Sequence, residues 1–261
     1  MDIFSVLIEL FIITAFVGFW KVQFLPENSL FAGRKESVAY CSLTALCAVG
    51  VLFVLLRWSA ADVRSESGEV IFYFVFSLAG IVAAQHLFSC LGISLRDDVV
   101  ERRNRAALWA VLGLIVGVSC CIAGANVGNG PGGEVVFFCA ALSVGALLIL
   151  WVLLATLAGM AEAITVERDL RAGVRAGAFL ASCGAVFGTA VAGDWVSLSA
   201  TLRDFIRLAW PVAAVAFFVI ALERRLNRRP LAMRISILAS SVLSAALMIA
   251  AAMYAIWVAK Q

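Results

Sequence analysis

Eight hydrophobic stretches, each about as long as a bilayer-crossing helix, dominate this chain and are separated by short loops. A hydrocarbon core about 30 Å thick needs roughly 20 helical residues. Hydrophobic residues make up 64% of the 261 residues, and the mean hydropathy is +1.03, which is more apolar than a soluble domain. The predicted spans cover residues 3–20, 38–56, 70–91, 106–127, 135–157, 172–192, 205–222 and 235–258.

The stretches are continuous apolar runs without the strict alternation of a β-barrel strand. We therefore predict an all-α fold, a polytopic membrane helix bundle with about eight transmembrane helices. The whole chain, residues 1–261, is expected to form a single integral membrane domain. The first stretch has no basic segment before it and no small-residue cleavage site after it, so we interpret it as a retained helix rather than a signal peptide.

Basic residues are unevenly distributed among the loops. Of the 20 Lys and Arg residues, 15 fall in the loops between spans 1 and 2, 3 and 4, 5 and 6, and 7 and 8. The loop between spans 5 and 6 contributes Arg168, Arg171 and Arg175 to this count. The positive-inside rule predicts that these four loops are cytoplasmic and that both termini are outside. Anionic lipid and topology account for these arginines, so no nucleic-acid partner is expected.

The pattern VERxxRA occurs at residues 100–106 and again at residues 166–172, which is a spacing of 66. Each copy precedes a glycine-rich span that is followed by a bulkier one. Two helical-hairpin repeats are therefore predicted, over about residues 100–160 and 166–224, with a decayed third copy over about 34–95. Because one hairpin contains two spans, the copies are expected to be parallel.

These hairpins share an arginine or asparagine before the helix, an alanine-rich first turn and spaced glycines. The positions are Arg103, Asn104, Arg105, Ala106, Ala107, Gly113 and Gly117, then Arg171, Ala172, Gly173, Gly177 and Gly184. Over about residues 97–222 the chain resembles the YjfL-type family of bacterial inner-membrane proteins, domain of unknown function 350. The chain departs from that family in having Asp169 or Leu170 where the second Asn would fall, and about eight spans instead of about four. The resemblance implies a bacterial cytoplasmic membrane and a link to envelope stress, with no catalytic residue.

Gln85 and His86 form the clearest polar pair inside a predicted span, and His86 is the only histidine. Polar residues at membrane depth are candidates for function. An interhelical hydrogen bond is the alternative interpretation. The loop after this span is dense in charge, and we interpret it as a salt-bridged cytoplasmic elbow in which Glu101 pairs with Arg105. Its candidate residues are Arg96, Asp97, Asp98, Glu101, Arg103, Asn104 and Arg105.

Two carboxylates in that elbow, Asp97 and Asp98, are only a weak signal for a divalent cation.

On the opposite face, a glycine-rich segment follows the fourth span. It is interpreted either as a tight turn or as a re-entrant turn that exposes backbone groups. The candidate residues of this outer turn are Asn126, Asn129, Gly130, Gly132 and Asp194. We expect φ > 0 at Gly130, so that Gly130→Val should constrain the turn.

No hydrolase, kinase or metalloenzyme pattern occurs, and the seven cysteines have neither a disulfide nor a zinc-site spacing. No enzymatic activity, cofactor or metal is therefore expected. The preferred function is a non-enzymatic protein, either a channel-like oligomer or an envelope-stress module. The alternative is a secondary transporter of a small solute. The position of Asp and Glu at helix ends, Glu223 among them, counts against this alternative. Expected partners are the lipid bilayer, with self-association and membrane-stress proteins left open.

Overall fold

The structure, a computed structural model, describes residues 35–228 and 236–258, so the predicted first span lies outside the described residues. Within them the chain is helical, which confirms the all-α class. The helices are α1 Lys35–Trp58, α2 Ala61–Ser65, α3 Ser67–Cys90, a π-helix Leu95–Glu101, α4 Arg105–Ala125, α5 Gly133–Leu157, α6 Met160–Thr165, α7 Leu170–Val191, α8 Leu198–Asn227 and α9 Ile237–Val258. Seven of them (α1, α3, α4, α5, α7, α8 and α9) are long and apolar enough to cross a membrane. The chain is therefore a multi-pass membrane protein, and the eighth span stays a prediction.

The seven long helices alternate in direction, so that loops 91–104 and 158–169 lie on one face of the described bundle, with the start of α1 and the end of α8. Arg105 at the start of α4 lies 3.9 Å from Glu36 at the start of α1. Asn227 at the end of α8 donates a hydrogen bond of 2.9 Å to the carbonyl of Ala158, just beyond α5. We call this side, with loops 91–104 and 158–169, the basic face. The side with the turn 126–132 is the glycine-turn face.

Helices α4 and α7 form the centre of the bundle and run parallel in close backbone contact. A Cβ added to Gly124 would lie 2.0 Å from the carbonyl oxygen of Gly188, and one on Gly173 would lie 2.3 Å from that of Ala106. Most residues of both helices are buried, whereas α9 is largely exposed. The glycine spacings of the sequence therefore serve contact within one chain.

The ends of α4 and α7 at the basic face have matching local geometry. Arg103 and Arg168 both have left-handed backbones, with φ of 51° and 53°. Each is followed by the residue that caps the next helix, Asn104 before α4 and Asp169 before α7. The left-handed residue and the cap after it recur 65 residues apart, whereas the VERxxRA pattern recurs 66 residues apart. Asp169 thus caps α7 as Asn104 caps α4, while the repeat itself stays a prediction.

Candidate functional site

An ion pair is buried inside the bundle, near its basic face. Both nitrogens of the Arg175 fork contact the carboxylate of Glu223, Nε with Oε1 and Nη2 with Oε2, the latter at 2.7 Å. The remaining Nη1 donates a hydrogen bond of 2.9 Å to Oγ of Ser240. Arg175 is 5% exposed and Glu223 is 1% exposed. These three residues connect α7, α8 and α9, and the two opposite charges compensate each other.

Helix geometry explains how these groups meet. Arg175 follows the cap Asp169 by six residues, so it lies in the second turn of α7 and points into the bundle. Glu223 precedes the last turn of α8, where its neighbours Arg224 and Arg225 are exposed and Glu223 is not. The pair therefore lies one to two turns inside the basic face, because each turn rises about 5.4 Å.

This site is not among those that the sequence predicts. Arg175 counts there with the loop arginines, although residue 175 falls within the predicted span 172–192, and Glu223 counts as a helix-end carboxylate. A lone arginine inside an apolar span was the available signal. The partner of Arg175 could not be identified from the sequence, because Glu223 lies 48 residues further along the chain.

Gln85 and His86 do not act as a pair. Gln85 is 5% exposed and accepts a hydrogen bond of 2.8 Å from the hydroxyl of Tyr40, which joins α3 to α1. The Nε2 atom of Gln85 has no hydrogen-bond partner among the described residues. His86 is exposed on the outside of the bundle. Adjacent residues on a helix point in different directions, which separates the two side chains. The interhelical hydrogen bond is therefore the role that the geometry gives to Gln85.

The charged elbow forms, with different partners from those predicted. Glu101 pairs with Arg96 at 3.2 Å instead of with Arg105. The physical reason is that the left-handed Arg103 ends the π-helix and Asn104 begins α4, so that Glu101 and Arg105 belong to different helices. The predicted i, i+4 geometry does not exist there.

The aspartates of the elbow do not converge on a cation. Asp98 is buried and accepts hydrogen bonds from the backbone N–H of Ser94 at 2.9 Å and from Arg102 at 3.1 Å. Its neighbour Asp97 is exposed. Among the described residues no group of three or more His, Cys, Asp or Glu side chains is arranged to hold a metal ion.

Asn104 makes the hydrogen bonds that connect the elbow to its neighbouring helices. Its Oδ1 accepts hydrogen bonds from the backbone of Ala106 at 3.0 Å and Ala107 at 3.3 Å, which caps α4. Its Nδ2 donates to the carbonyl of Ile164 at 2.7 Å. This last bond ties the entry of α4 to α6, which directly precedes α7. The basic-face ends of the central helices are therefore fixed relative to each other.

The glycine-turn face brings Asn129 and Asp194 together. The backbone N–H and the side-chain amide of Asn129 both donate to Oδ1 of Asp194, at 2.7 Å and 2.9 Å. Backbone bonds from Gly193 to Val127 and from Trp195 to Asn129 connect the same two turns. The segment is thus a tight turn that joins the ends of α4 and α7.

The left-handed glycines of this turn differ from the one that we expected. Gly128 and Gly132 have φ of 101° and 147°, and Gly130 is not among the residues with positive φ. A Cβ on Gly130 would make only ordinary contacts, the nearest at 3.4 Å from Val135. Asn126 is buried and donates to the carbonyl of Ile122 at 2.8 Å and to Ser77 at 3.3 Å. The strain argument for Gly130 is therefore wrong.

A small polar cavity of about 100 Å³ opens at the glycine-turn face. Asp62, Asp194 and Asp204 contribute carboxylates to its lining, together with Asn126 and Asn129. Its lining also includes Gly128 and Gly193 of the joined turns, so it lies at the glycine-turn ends of α4 and α7.

Compared with known proteins, the chain matches no family model, no curated protein and no solved structure.

Proposed function

We propose that the protein is a non-enzymatic secondary transporter of a small solute, with Arg175 and Glu223 as its polar site. The observation that carries this proposal is the burial of both charges between α7, α8 and α9. Ionisable groups at membrane depth are costly and tend to mark solute pathways or proton relays. The position of Asp and Glu at helix ends counts against a transporter, but Glu223 near the end of α8 is only 1% exposed and therefore lies inside the bundle.

The geometry of the pair favours an anionic solute. The planar guanidinium of Arg175 matches carboxylate or phosphate oxygens in a two-bond arrangement, which Glu223 occupies here. A small anion can displace Glu223 from this fork only if the released carboxylate takes up a proton, since an unpaired buried charge is strongly unfavourable. We therefore infer that the anion and one proton move together, so that the proton compensates one negative charge of the anion at the site.

A channel-like oligomer is the second candidate. The acidic cavity at the glycine-turn face supports it, because Asp62, Asp194 and Asp204 would concentrate cations at a mouth. The glycine contacts between α4 and α7 fill the centre of the described bundle. A conducting path would consequently run between copies of the chain.

We propose further that the basic face is cytoplasmic and that the protein belongs to a bacterial inner membrane. The excess of Lys and Arg in the loops of that face supports this orientation. The resemblance to the YjfL-type family supports the choice of membrane and also the envelope-stress module, which is the function left if nothing is transported.

The test is proton uptake into liposomes that contain the purified full chain and a pH-sensitive dye. Inward gradients of succinate or inorganic phosphate should drive saturable acidification of the lumen, and a potassium chloride gradient should not. The double variant Arg175→Met with Glu223→Leu should abolish the anion-driven signal while remaining folded, because both charges are removed together. Arg224→Met, which removes an exposed neighbouring charge, should transport like wild type.

Each alternative predicts a different result. Potassium flux that the double variant leaves unchanged, without anion-driven acidification, would support the channel-like oligomer. If the folded wild-type protein moves neither anions nor potassium, the envelope-stress module is the function that remains.

A further inference from the structure

A long cleft lies between α8 and α9, which both pack on α7 and scarcely touch each other. At the basic-face end, the chain of contacts from Ser240 through Arg175 to Glu223 links the two helices. At the other end, the hydroxyl of Tyr254 donates a hydrogen bond of 2.9 Å to the carbonyl of Leu208. Between these two links the cleft has no polar bridge from α8 to α9 among the described residues.

The cleft is apolar and has the length of a lipid chain. It consists of two cavities of about 250 and 180 Å³, which share Val215 and Leu247 in their linings. Phe179 and Cys183 of α7 contribute to its floor. The 14 steps along the helix from Ser240 to Tyr254 rise about 21 Å. That distance exceeds the roughly 15 Å that half of the hydrocarbon core requires.

Positive charge lies at the basic-face end of the cleft, where Arg225 is exposed. Phe218 and Leu222, which line the cleft, share one face of α8 with Arg225, because residues four and three apart are neighbours on a helix. Glu223 is the last acidic residue of the whole sequence, and five arginines follow it. Arg175 does not contribute to this charge, because Glu223 neutralises it.

We propose that this cleft is a binding site for one anionic phospholipid of the basic-face leaflet. One acyl chain lies between α8 and α9, over Phe179 and Leu247, and the phosphate of the headgroup contacts Arg225. The apolar lining selects the chain, and Arg225 selects a negatively charged headgroup over a zwitterionic one. The Arg175–Glu223 pair lines the basic-face end of the cleft beneath the headgroup, and lipid binding there does not depend on transport.

Native mass spectrometry of the full chain, delipidated and then mixed with equal amounts of phosphatidylglycerol and phosphatidylcholine, tests the proposal. Wild type should retain one phosphatidylglycerol per chain in preference to phosphatidylcholine. Arg225→Gln should lower this preference about fivefold, the effect of one arginine near a membrane surface. Leu243→Trp, which fills the cleft, should reduce retention of both lipids.

Two matched variants and one soluble probe complete the design. Arg224→Gln removes the same charge one position away, where the side chain lines a different cavity. Leu238→Trp makes the same substitution on an outward position that is 75% exposed. Both controls should bind lipid like wild type, with unchanged melting temperatures for all four variants. Equal retention of the two lipids, or equal losses in variants and controls, would overturn the site. The site would also be overturned if inorganic phosphate alone raised the melting temperature as much as phosphatidylglycerol does, because the acyl chain would then have no role.

Discussion

The backbones of Gly113 and Gly177 are in direct contact, because a Cβ on Gly113 would lie 2.1 Å from the carbonyl oxygen of Gly177. No side chain fits between α4 and α7 at this level. Further contacts of this kind follow toward the glycine-turn face, where Gly117 meets Gly184 and Gly124 meets Gly188. The central pair is therefore held by close backbone packing, which suits a membrane interior where apolar area gives no driving force between helices.

Gly113→Ala should destabilise the protein by about 1–3 kcal/mol or more, since the added methyl group forces the two backbones apart. Gly145→Ala is the matched control, because a Cβ at position 145 of α5 meets no atom within 4 Å. The melting temperature of each purified variant in detergent measures the difference. Equal melting temperatures would contradict the close contact of α4 and α7.

Replacing one member of the Arg175–Glu223 pair should be far more harmful than replacing both. Arg175→Met or Glu223→Leu alone leaves a buried unpaired charge and should cost about 3–5 kcal/mol. The double variant should recover most of that loss, because similar apolar volume replaces the pair. A double-mutant cycle from thermal unfolding gives the coupling energy. Additive losses would show that the two side chains do not pair in the membrane.

Substitution by alanine should disrupt the turn at Gly128 but not at Gly130. Gly128 has φ of 101°, and a Cβ there would lie 2.2 Å from the carbonyl oxygen of Gly193. Gly128→Ala should therefore disrupt the joined turns and expose the backbone amide of Asn129 to hydrogen exchange. Gly130→Ala serves as the internal control and should leave exchange unchanged. Faster exchange in Gly130→Ala than in Gly128→Ala would contradict the assignment.

Cysteine labelling tests the orientation of the bundle. In a background without the native cysteines, Ser65→Cys on the glycine-turn face should react with an impermeant maleimide in intact cells. Arg228→Cys on the basic face should react only after permeabilisation. Both residues are exposed, so access to the membrane side alone decides the result. Labelling of Arg228→Cys from outside intact cells would reverse the proposed topology.

The sequence alone was sufficient to predict the membrane class and the positions of the helices. Long apolar runs can be satisfied in lipid only by helices or closed barrels, so hydropathy carries this information locally. The seven predicted spans within the described residues agree with the observed helices, apart from α8, which extends from Leu198 to Asn227 beyond the predicted 205–222. The alternation of basic loops likewise predicted which loops share a face.

The pairing of side chains was decided only by the tertiary structure. Whether Glu101 contacts Arg105 or Arg96 depends on the left-handed backbone of Arg103, which helix periodicity does not encode. Glu223 becomes a partner of Arg175 because α8 returns to the basic face beside α7, with 48 residues between them in the chain. Hydropathy measures the affinity of each segment for lipid, whereas a buried ion pair depends on how separate helices pack, and that arrangement exists only in the folded bundle.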